Sequence, residues 1–516
     1  MAGKARLSIA ATLSLDTVAR LLTHEVRVVL DRRARAALQH GRQVIEHILD
    51  TGQTVYGVNT GFGKFADVRI PLDKVIDLQH RLILSHAAGV GQPMPRDIVR
   101  LLMLLKIHTL SRGHSGVRLE VVELLTAMLN RHVIPVIPAK GSVGASGDLA
   151  PLAHLALVMI GQGQACITAA QGWEVVPGAD ALQQAALTPL RFEAKEGLAM
   201  LNGTHAMTAY TVWSLLQART LLKTADIVGA MSLEALLGTL TAFDARIHAL
   251  RPHPGQQQVA ANVRRILARS PIVASHRWSD HKVQDAYSLR CIPQVHGAVR
   301  DAVAHVEAVI EREINAVTDN PLIFPEDNEV LSGGNFHGEP IAMVADYLSI
   351  ALSELASIAE RRIEHMLDPA VSELAGFLTE DGGLNSGLMI AQVTAAALVS
   401  ENKVLSHPAS VDSIPTSANK EDHVSMGTHA ARKTTEIVEN LEYVLTIELL
   451  CATQALDLRA PLTPSPATQA VRDAVRARIP FWQEDRLMHR DIETARELIH
   501  TGQIVQAAEA ICGPLS

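Results

Sequence analysis

Residues 342–366, AMVADYLSIALSELASIAERRIEHM, place Leu348, Leu352, Leu355, Ala359 and Ile363 at spacings of three and four. That period draws one apolar stripe along a long α-helix. Runs at 206–243, 298–317, 387–405 and 428–456 repeat it. Helices of this length usually lie antiparallel in a bundle. Their many Ala and Ser positions allow close approach, and stripes this wide suggest burial between subunits as well. Residues 1 to about 200 are more mixed, with short helical patterns separated by Gly- and Pro-rich loops. Strand patterns are few and short. The expected class is therefore mainly α, with a smaller mixed, mostly helical N-terminal domain over 1–201 and a long antiparallel helix bundle over 202–516.

Composition agrees. Apolar residues make up 48% of the 516 and aromatics only 3%. Most of the apolar residues are Ala, Leu, Val and Ile, which favours close-packed helices. A net charge of -8 with both signs interspersed argues against a nucleic-acid surface, which needs a basic patch. Cys166, Cys291, Cys451 and Cys512 form no C-x-x-C pair, so no disulfide framework or zinc motif is expected. That usage fits a reducing compartment, the cytoplasm. The 23 histidines contain no H-E-x-x-H, and no metal is expected. Residues 7–15 are mildly apolar, but Ser8, Thr12 and Ser14 interrupt them and Asp16 follows, so ordinary mature chain is expected there. The longest uncharged stretch, 149–173, contains Pro151 and His154 and reads as a buried segment, not a membrane span.

Chemistry is expected where the helical pattern breaks, at 56–63, 141–151, 201–205, 284–297 and 419–427. The second break, Gly141-Ser-Val-Gly-Ala-Ser-Gly-Asp148, is glycine-rich and leads into a helix, so a phosphate cradle has to be considered. It fits neither G-x-x-x-x-G-K-[ST] nor G-x-G-x-x-G. A second reading uses Ala145-Ser146-Gly147 chemically. Attack of the Gly147 amide nitrogen on the Ala145 carbonyl carbon closes a five-membered ring. Glycine at the attacking position removes the hindering Cβ. Loss of water from the ring, and of the Ser146 hydroxyl, leaves a methylideneimidazolone (MIO) with an electrophilic exocyclic carbon. For the tripeptide in isolation, a plain turn remains the commoner outcome.

Gly141–His154 resembles the prosthetic-group segment of the histidine and phenylalanine ammonia-lyases, an MIO-dependent family. So do Tyr56-Gly-Val-Asn-Thr-Gly-Phe-Gly63, Asn202-Gly-Thr204, Gln284-Asp-Ala-Tyr-Ser-Leu-Arg-Cys-Ile-Pro-Gln294, Thr318-Asp-Asn-Pro321, Gly334-Asn-Phe-His337, Gly383-Leu-Asn-Ser-Gly387 and Glu421-Asp-His-Val-Ser-Met426. They occur in the family's order, from about residue 50 to beyond 460. The resemblance implies the helical fumarase/aspartase-like fold and an MIO formed from Ala145, Ser146 and Gly147. It also implies a homotetramer whose active sites are each shared between subunits. The substrate would be a small-molecule amino acid, with neither nucleic acid nor membrane as partner.

The resemblance also implies roles for single residues. Tyr56 matches the base that removes the β-proton, which requires a phenol pKa lowered from about 10 by positive potential near the prosthetic group. Arg290 matches the holder of the substrate carboxylate. Asn202 and Tyr287 match the residues that polarise the MIO carbonyl oxygen. Ser85-His86 and Glu421 resemble the histidine-selective members, because a polar His86 can hydrogen-bond an imidazole where an apolar pair would leave it unpaired. Phe336 matches a pocket aromatic that the family contributes from a neighbouring subunit. The activity implied is non-oxidative elimination of ammonia from L-histidine to trans-urocanate, in histidine degradation. The alternative is a tyrosine or phenylalanine ammonia-lyase or aminomutase of the same family. A fumarase- or argininosuccinate-lyase-like enzyme is less consistent, because its Gly-Ser-Ser-x-Met-Pro-x-Lys-x-Asn loop is absent; residues 413–419 come nearest. Two departures, His205 after Asn202-Gly-Thr204 and Lys420 before Glu421, are expected to change pocket polarity.

Overall fold

The five apolar patterns fold as helices His205–Ala235, Ile292–Glu313, Glu339–Leu367, Met389–Leu405 and Gly427–Leu458. A computed structural model describes residues 5–9, 12–23, 26–169, 172–277 and 283–516. Ala10, Ala11, Ala170 and Gln171, which belong to stretches read above, lie outside the described residues. In Glu339–Leu367 the stripe of Leu348, Leu352, Leu355, Ala359 and Ile363 is fully buried, while Met343, Tyr347 and Ile350 on another face are exposed. Helix Met389–Leu405 behaves differently from its pattern, burying Ala391, Ala395 and Asn402 but exposing Ile390, Val393 and Val404.

Strands are minor. Ala5–Ile9 and Val26–Leu30 pair in parallel, and Ile134–Pro135, Gln164–Ala169 and Gly172–Pro177 form an antiparallel three-stranded sheet. The uncharged stretch is therefore no single span: it is the helix Leu149–Met159 followed by two sheet strands. Among the described residues only Glu339–Leu367 is long and apolar enough to cross a membrane, and 67% of its most apolar window is buried.

The chain divides into two compact units, neither continuous in sequence. The first takes residues 1–213, 307–346 and 408–432; the second takes 214–306, 347–407 and 433–516. This differs from the expected single boundary after residue 201. Four of the five crossings fall inside the helices named above, so a run of helical period in the sequence is not confined to one unit.

In the first unit, helix Arg96–Leu110 is buried almost all round from Ile98 to Leu110 and packs on Leu119–Asn130. Val44, Ile45 and Ile48 of helix Arg32–Thr51 close with Val58, Val75, Ala194 and Ile323 into a second cluster. Val58 lies two residues past Tyr56, so this core anchors the Tyr56 turn. The second unit ties its helices with buried charge. The Arg362 guanidinium donates to both carboxylate oxygens of Glu448, at 2.5 and 3.0 Å, and the Ser232 hydroxyl donates to Glu448 at 2.7 Å. Arg362 and Glu448 are both fully buried, so removing one partner strands the other charge in the core. We expect Glu448→Ala to cost about 3–5 kcal/mol in a urea titration, and the paired change Arg362→Met with Glu448→Met to recover most of it. A loss below about 1 kcal/mol for the single change would refute this account of the core.

Candidate active site

The loop at 141–148 is held at Gly144, Ser146 and Asp148. The Asp148 carboxylate, fully buried, accepts from the N–H groups of Ala206 and Met207 at 2.8 and 3.0 Å. Its other oxygen accepts from the Thr428 hydroxyl at 2.5 Å. Burial pushes this carboxyl up, and the hydrogen bonds from Thr428, Met207, Ala206 and Ser142 pull against it. The Asp148 N–H donates to the Gly203 carbonyl at 2.8 Å, and the Gly203 N–H donates to the Ser146 carbonyl at 3.3 Å. The Gly144 carbonyl accepts from the Gly338 N–H and the Ser425 hydroxyl. Gly147 has φ +74°, and a Cβ there would lie 2.2 Å from the Gly203 carbonyl oxygen, so only glycine fits. Between these clamps, the Ala145 carbonyl and the Gly147 N–H make no hydrogen bond among the described residues.

The Ser146 hydroxyl faces a cleft of about 1080 Å³ and donates to Glu421 Oε1 at 3.1 Å. Glu421 Oε2 accepts from the Thr416 hydroxyl at 2.6 Å. Tyr56, His86, Asn202, Phe336 and Lys420 line the same cleft. Four of the five expected breaks thus contribute to it, through Tyr56, Ser146, Asn202 and Glu421.

His86 Nδ1 lies 2.9 Å from the Leu82 carbonyl. A carbonyl can only accept, so this contact puts the ring proton on Nδ1 and leaves Nε2 as an acceptor in the neutral ring. Burial lowers the His86 pKa, while the Leu82 contact and Glu421 raise it. Asn202 is nearly sealed; its Nδ2 donates to the Asn320 carbonyl at 3.0 Å, and its own carbonyl accepts from Lys106 Nζ at 2.7 Å.

Several expectations need correction. The Tyr56 pKa is raised, first by burial and then by Glu421 and Asp319, against a lowering contact with the Gly63 backbone. The expected lowering is absent because burial disfavours the phenolate and the charges that act on it, Glu421 and Asp319, are acidic. Phe336, assigned above to a neighbouring subunit, lines the cleft from this same chain. It follows the hairpin Leu322–Phe324 and Glu329–Leu331, and the nearby Gly338 is tethered to Gly144. His205 does not line the cleft. It faces a separate cavity of about 10 Å³ with Thr204, Thr318 and Glu313, and its Nε2 lies 3.0 Å from the Thr109 hydroxyl. Lys420 does line the cleft.

Tyr287 and Arg290 belong to the second unit and are not among the residues lining this cleft. They open and close the short helix Tyr287–Arg290, with the guanidinium 4.6 Å from the Tyr287 ring centre. Tyr287 is 71% exposed, whereas Arg290 Nε is buried without a partner. The fifth expected break, 284–297, is shorter than its composition suggests, because helix Ile292–Glu313 begins within it.

Sequence reasoning missed Asp148, Lys106, Thr416 and Ser425 as parts of the site. Lys106 carried a signal, as the one full charge in the apolar run 101–110.

A family model described as aromatic amino acid lyase matches residues 13–477. A histidine ammonia-lyase of Symbiobacterium thermophilum is 52% identical over 509 residues, covering 99% of each chain. One from Deinococcus radiodurans is 53% identical over 498 residues, 96% of this chain and 94% of that one. Among solved structures, a histidine ammonia-lyase from Trypanosoma cruzi matches with a TM-score of 0.90 at 41% identity, covering 98% of this chain and 95% of that one. A tyrosine aminomutase from Streptomyces globisporus matches with a TM-score of 0.91 at 36% identity, covering 98% and 99%. The chain belongs to the aromatic amino acid lyase family.

Proposed function

We propose that the protein is a histidine ammonia-lyase that eliminates ammonia from L-histidine to give trans-urocanate. The observation that carries the substrate choice is that His86 and Glu421 line one cleft with Ser146, and that Glu421 contacts the Ser146 hydroxyl directly. An imidazole N–H needs an acceptor, and His86 Nε2 and the Glu421 carboxylate each offer one where apolar side chains would leave it unpaired.

The residues fit an MIO group. Gly144, Ser146 and Asp148 are pinned, while the Gly147 nitrogen and the Ala145 carbonyl, the two groups that ring closure joins, have no competing hydrogen bond among the described residues. Ala145, Ser146 and Gly147 would form it, and it would supply an electrophile that makes the substrate amine a better leaving group.

The chain's own residues supply the rest. Tyr56 takes the β-proton, His86 Nε2 accepts from the imidazole N–H, and Phe336 gives the ring an apolar wall. Asn202, with a second amide N–H beyond the one given to Asn320, polarises the Ser146 carbonyl. Tyr287 and Arg290 come from a neighbouring copy in a homotetramer, where Arg290 holds the substrate carboxylate. The exposed Tyr287 and the apolar Ile390, Val393 and Val404 support such an assembly. A cation from that neighbour also provides what the Tyr56 phenol lacks within a single chain. All four cysteines are free, which suits a reducing cytoplasm.

Purified protein given L-histidine, L-tyrosine and L-phenylalanine separately tests the assignment, with ultraviolet absorbance and ammonia as readouts. Urocanate from histidine alone is expected; product from an aryl substrate instead refutes the role given to His86 and Glu421, and a β-amino acid would mark an aminomutase. Ser146→Ala should remove essentially all ammonia release, and the two-water mass loss on the 145–147 peptide, while thermal unfolding is unchanged. His86→Leu should lower kcat/KM for L-histidine about 10- to 100-fold by leaving an imidazole nitrogen unpaired. The pH profile gives a signed test. A phenolate base makes kcat/KM rise with pH through the Tyr56 pKa, and Glu421 raises that pKa. Glu421→Gln should therefore move the rising limb of the residual activity to lower pH; a limb that stays in place would remove Tyr56 as the titrating base.

A further inference from the structure

Two lysines are fully buried in the first unit, and they are treated differently. Lys195 Nζ has the Asp319 carboxylate at 2.7 Å. Lys106, in the apolar run of helix Arg96–Leu110, has no carboxylate within ion-pair distance among the described residues. Its hydrogen bond goes to a neutral group, the carbonyl of Asn202 at 2.7 Å. A buried ammonium without a counter-ion costs several kcal/mol, and methionine fills nearly the same volume without that cost. Satisfying one carbonyl does not require a cation; a hydroxyl or a water does so more cheaply.

The position of that carbonyl explains the choice. Asn202 lines the cleft, and the peptide unit joining it to Gly203 is bonded at both ends. Lys106 donates to its oxygen, and its N–H, on Gly203, donates to the Ser146 carbonyl at 3.3 Å. Hydrogen bonds arranged in such a chain polarise one another, so charge at Nζ is felt at the Ser146 oxygen. The same contact fixes the backbone from which the Asn202 amide projects. Asp148 closes the arrangement by donating its N–H to the Gly203 carbonyl. Burial, and after it the neighbouring Lys195, hold the Lys106 pKa down to about 7, while Asp319 and Asp148 support the charged form. His205, also close, is pushed well below the usual imidazole range by burial and then by Lys106 itself.

We infer that Lys106 is a positioning residue for the elimination: its buried Nζ fixes the Asn202–Gly203 peptide and, when protonated, polarises the Ser146 carbonyl through it. This rests on the function proposed above. The contribution grows as charge develops on that oxygen, so it belongs to the transition state more than to the bound substrate.

The test compares full-length wild type with Lys106→Met and Lys106→Arg in steady-state kinetics with L-histidine, thermal unfolding, and mass analysis of the 145–147 peptide. For Lys106→Met we expect kcat to fall about 10- to 100-fold with KM changed less than about threefold. We also expect an equal or higher Tm, because an uncompensated buried charge has gone, and a retained two-water mass loss. Lys106→Arg, which keeps a cation, should recover part of kcat. A kcat for Lys106→Met within about twofold of wild type overturns the inference. So does a Tm that falls in step with activity, which would make Lys106 a structural clamp only. Mass loss absent from the Met variant but present in wild type overturns it too, by moving the role to maturation. Mass loss absent from wild type itself fails the proposed function, and the inference with it, and that outcome is distinguishable from the other three.

Discussion

The buried carboxylate of Asp148 is the constraint on which the site depends. A carboxylate out of water is tolerated only when its oxygens are satisfied, and here the partners from outside its own loop come from two distant parts of the chain, 206–207 and 428. By taking the Ala206 and Met207 N–H groups it serves the first turn of helix His205–Ala235, although it is no neighbour of that helix in sequence. By taking the Thr428 hydroxyl it fixes the start of helix Gly427–Leu458. One side chain thus registers the 141–148 loop against two helix beginnings. The Gly147–Gly203 contact, too tight for any Cβ, follows from that registration.

The helices were legible because apolar period is a local, one-dimensional signal: the stripe from Leu348 to Ile363 is also the buried face. The convergence of Tyr56, Ser146, Asn202 and Glu421 was legible only through motifs, since no periodicity relates residues so far apart. What failed were statements about environment. The phenol of Tyr56 was expected to be lowered, yet burial raises it, and Glu421 and Asp319 add to that. His205 was expected in the pocket because it adjoins Asn202, but successive residues where a helix begins point in different directions, and its ring enters another cavity. Phe336 could be placed in a pocket but not in a particular chain. The exposed apolar residues of helix Met389–Leu405 show the same limit, because period reports which face is apolar and not what covers it.

The cleft combines opposite electrostatic tendencies within a small space. Glu421 and Asp319 raise the Tyr56 phenol, while Lys106 and Lys195 lie buried nearby, one on a carbonyl and one on Asp319. With Asp319 neutralised by Lys195, Glu421 is left as the cleft-lining carboxylate, hydrogen-bonded by the two hydroxyls of Ser146 and Thr416. A cationic substrate amine would meet that charge directly, and each protonation state in the cleft depends on its neighbours.

The clamps on the 141–148 loop also set an order in time. Gly144 is held by Gly338 and Ser425, and Asp148 by Thr428, so these partners of the loop lie up to 281 residues further along the chain. A ribosome that has made the loop has not yet made what holds it. During synthesis residues 144–148 emerge unclamped, and nothing yet selects the left-handed conformation at Gly147. Any chemistry that depends on that confinement therefore waits until residue 428 of the 516 has been made.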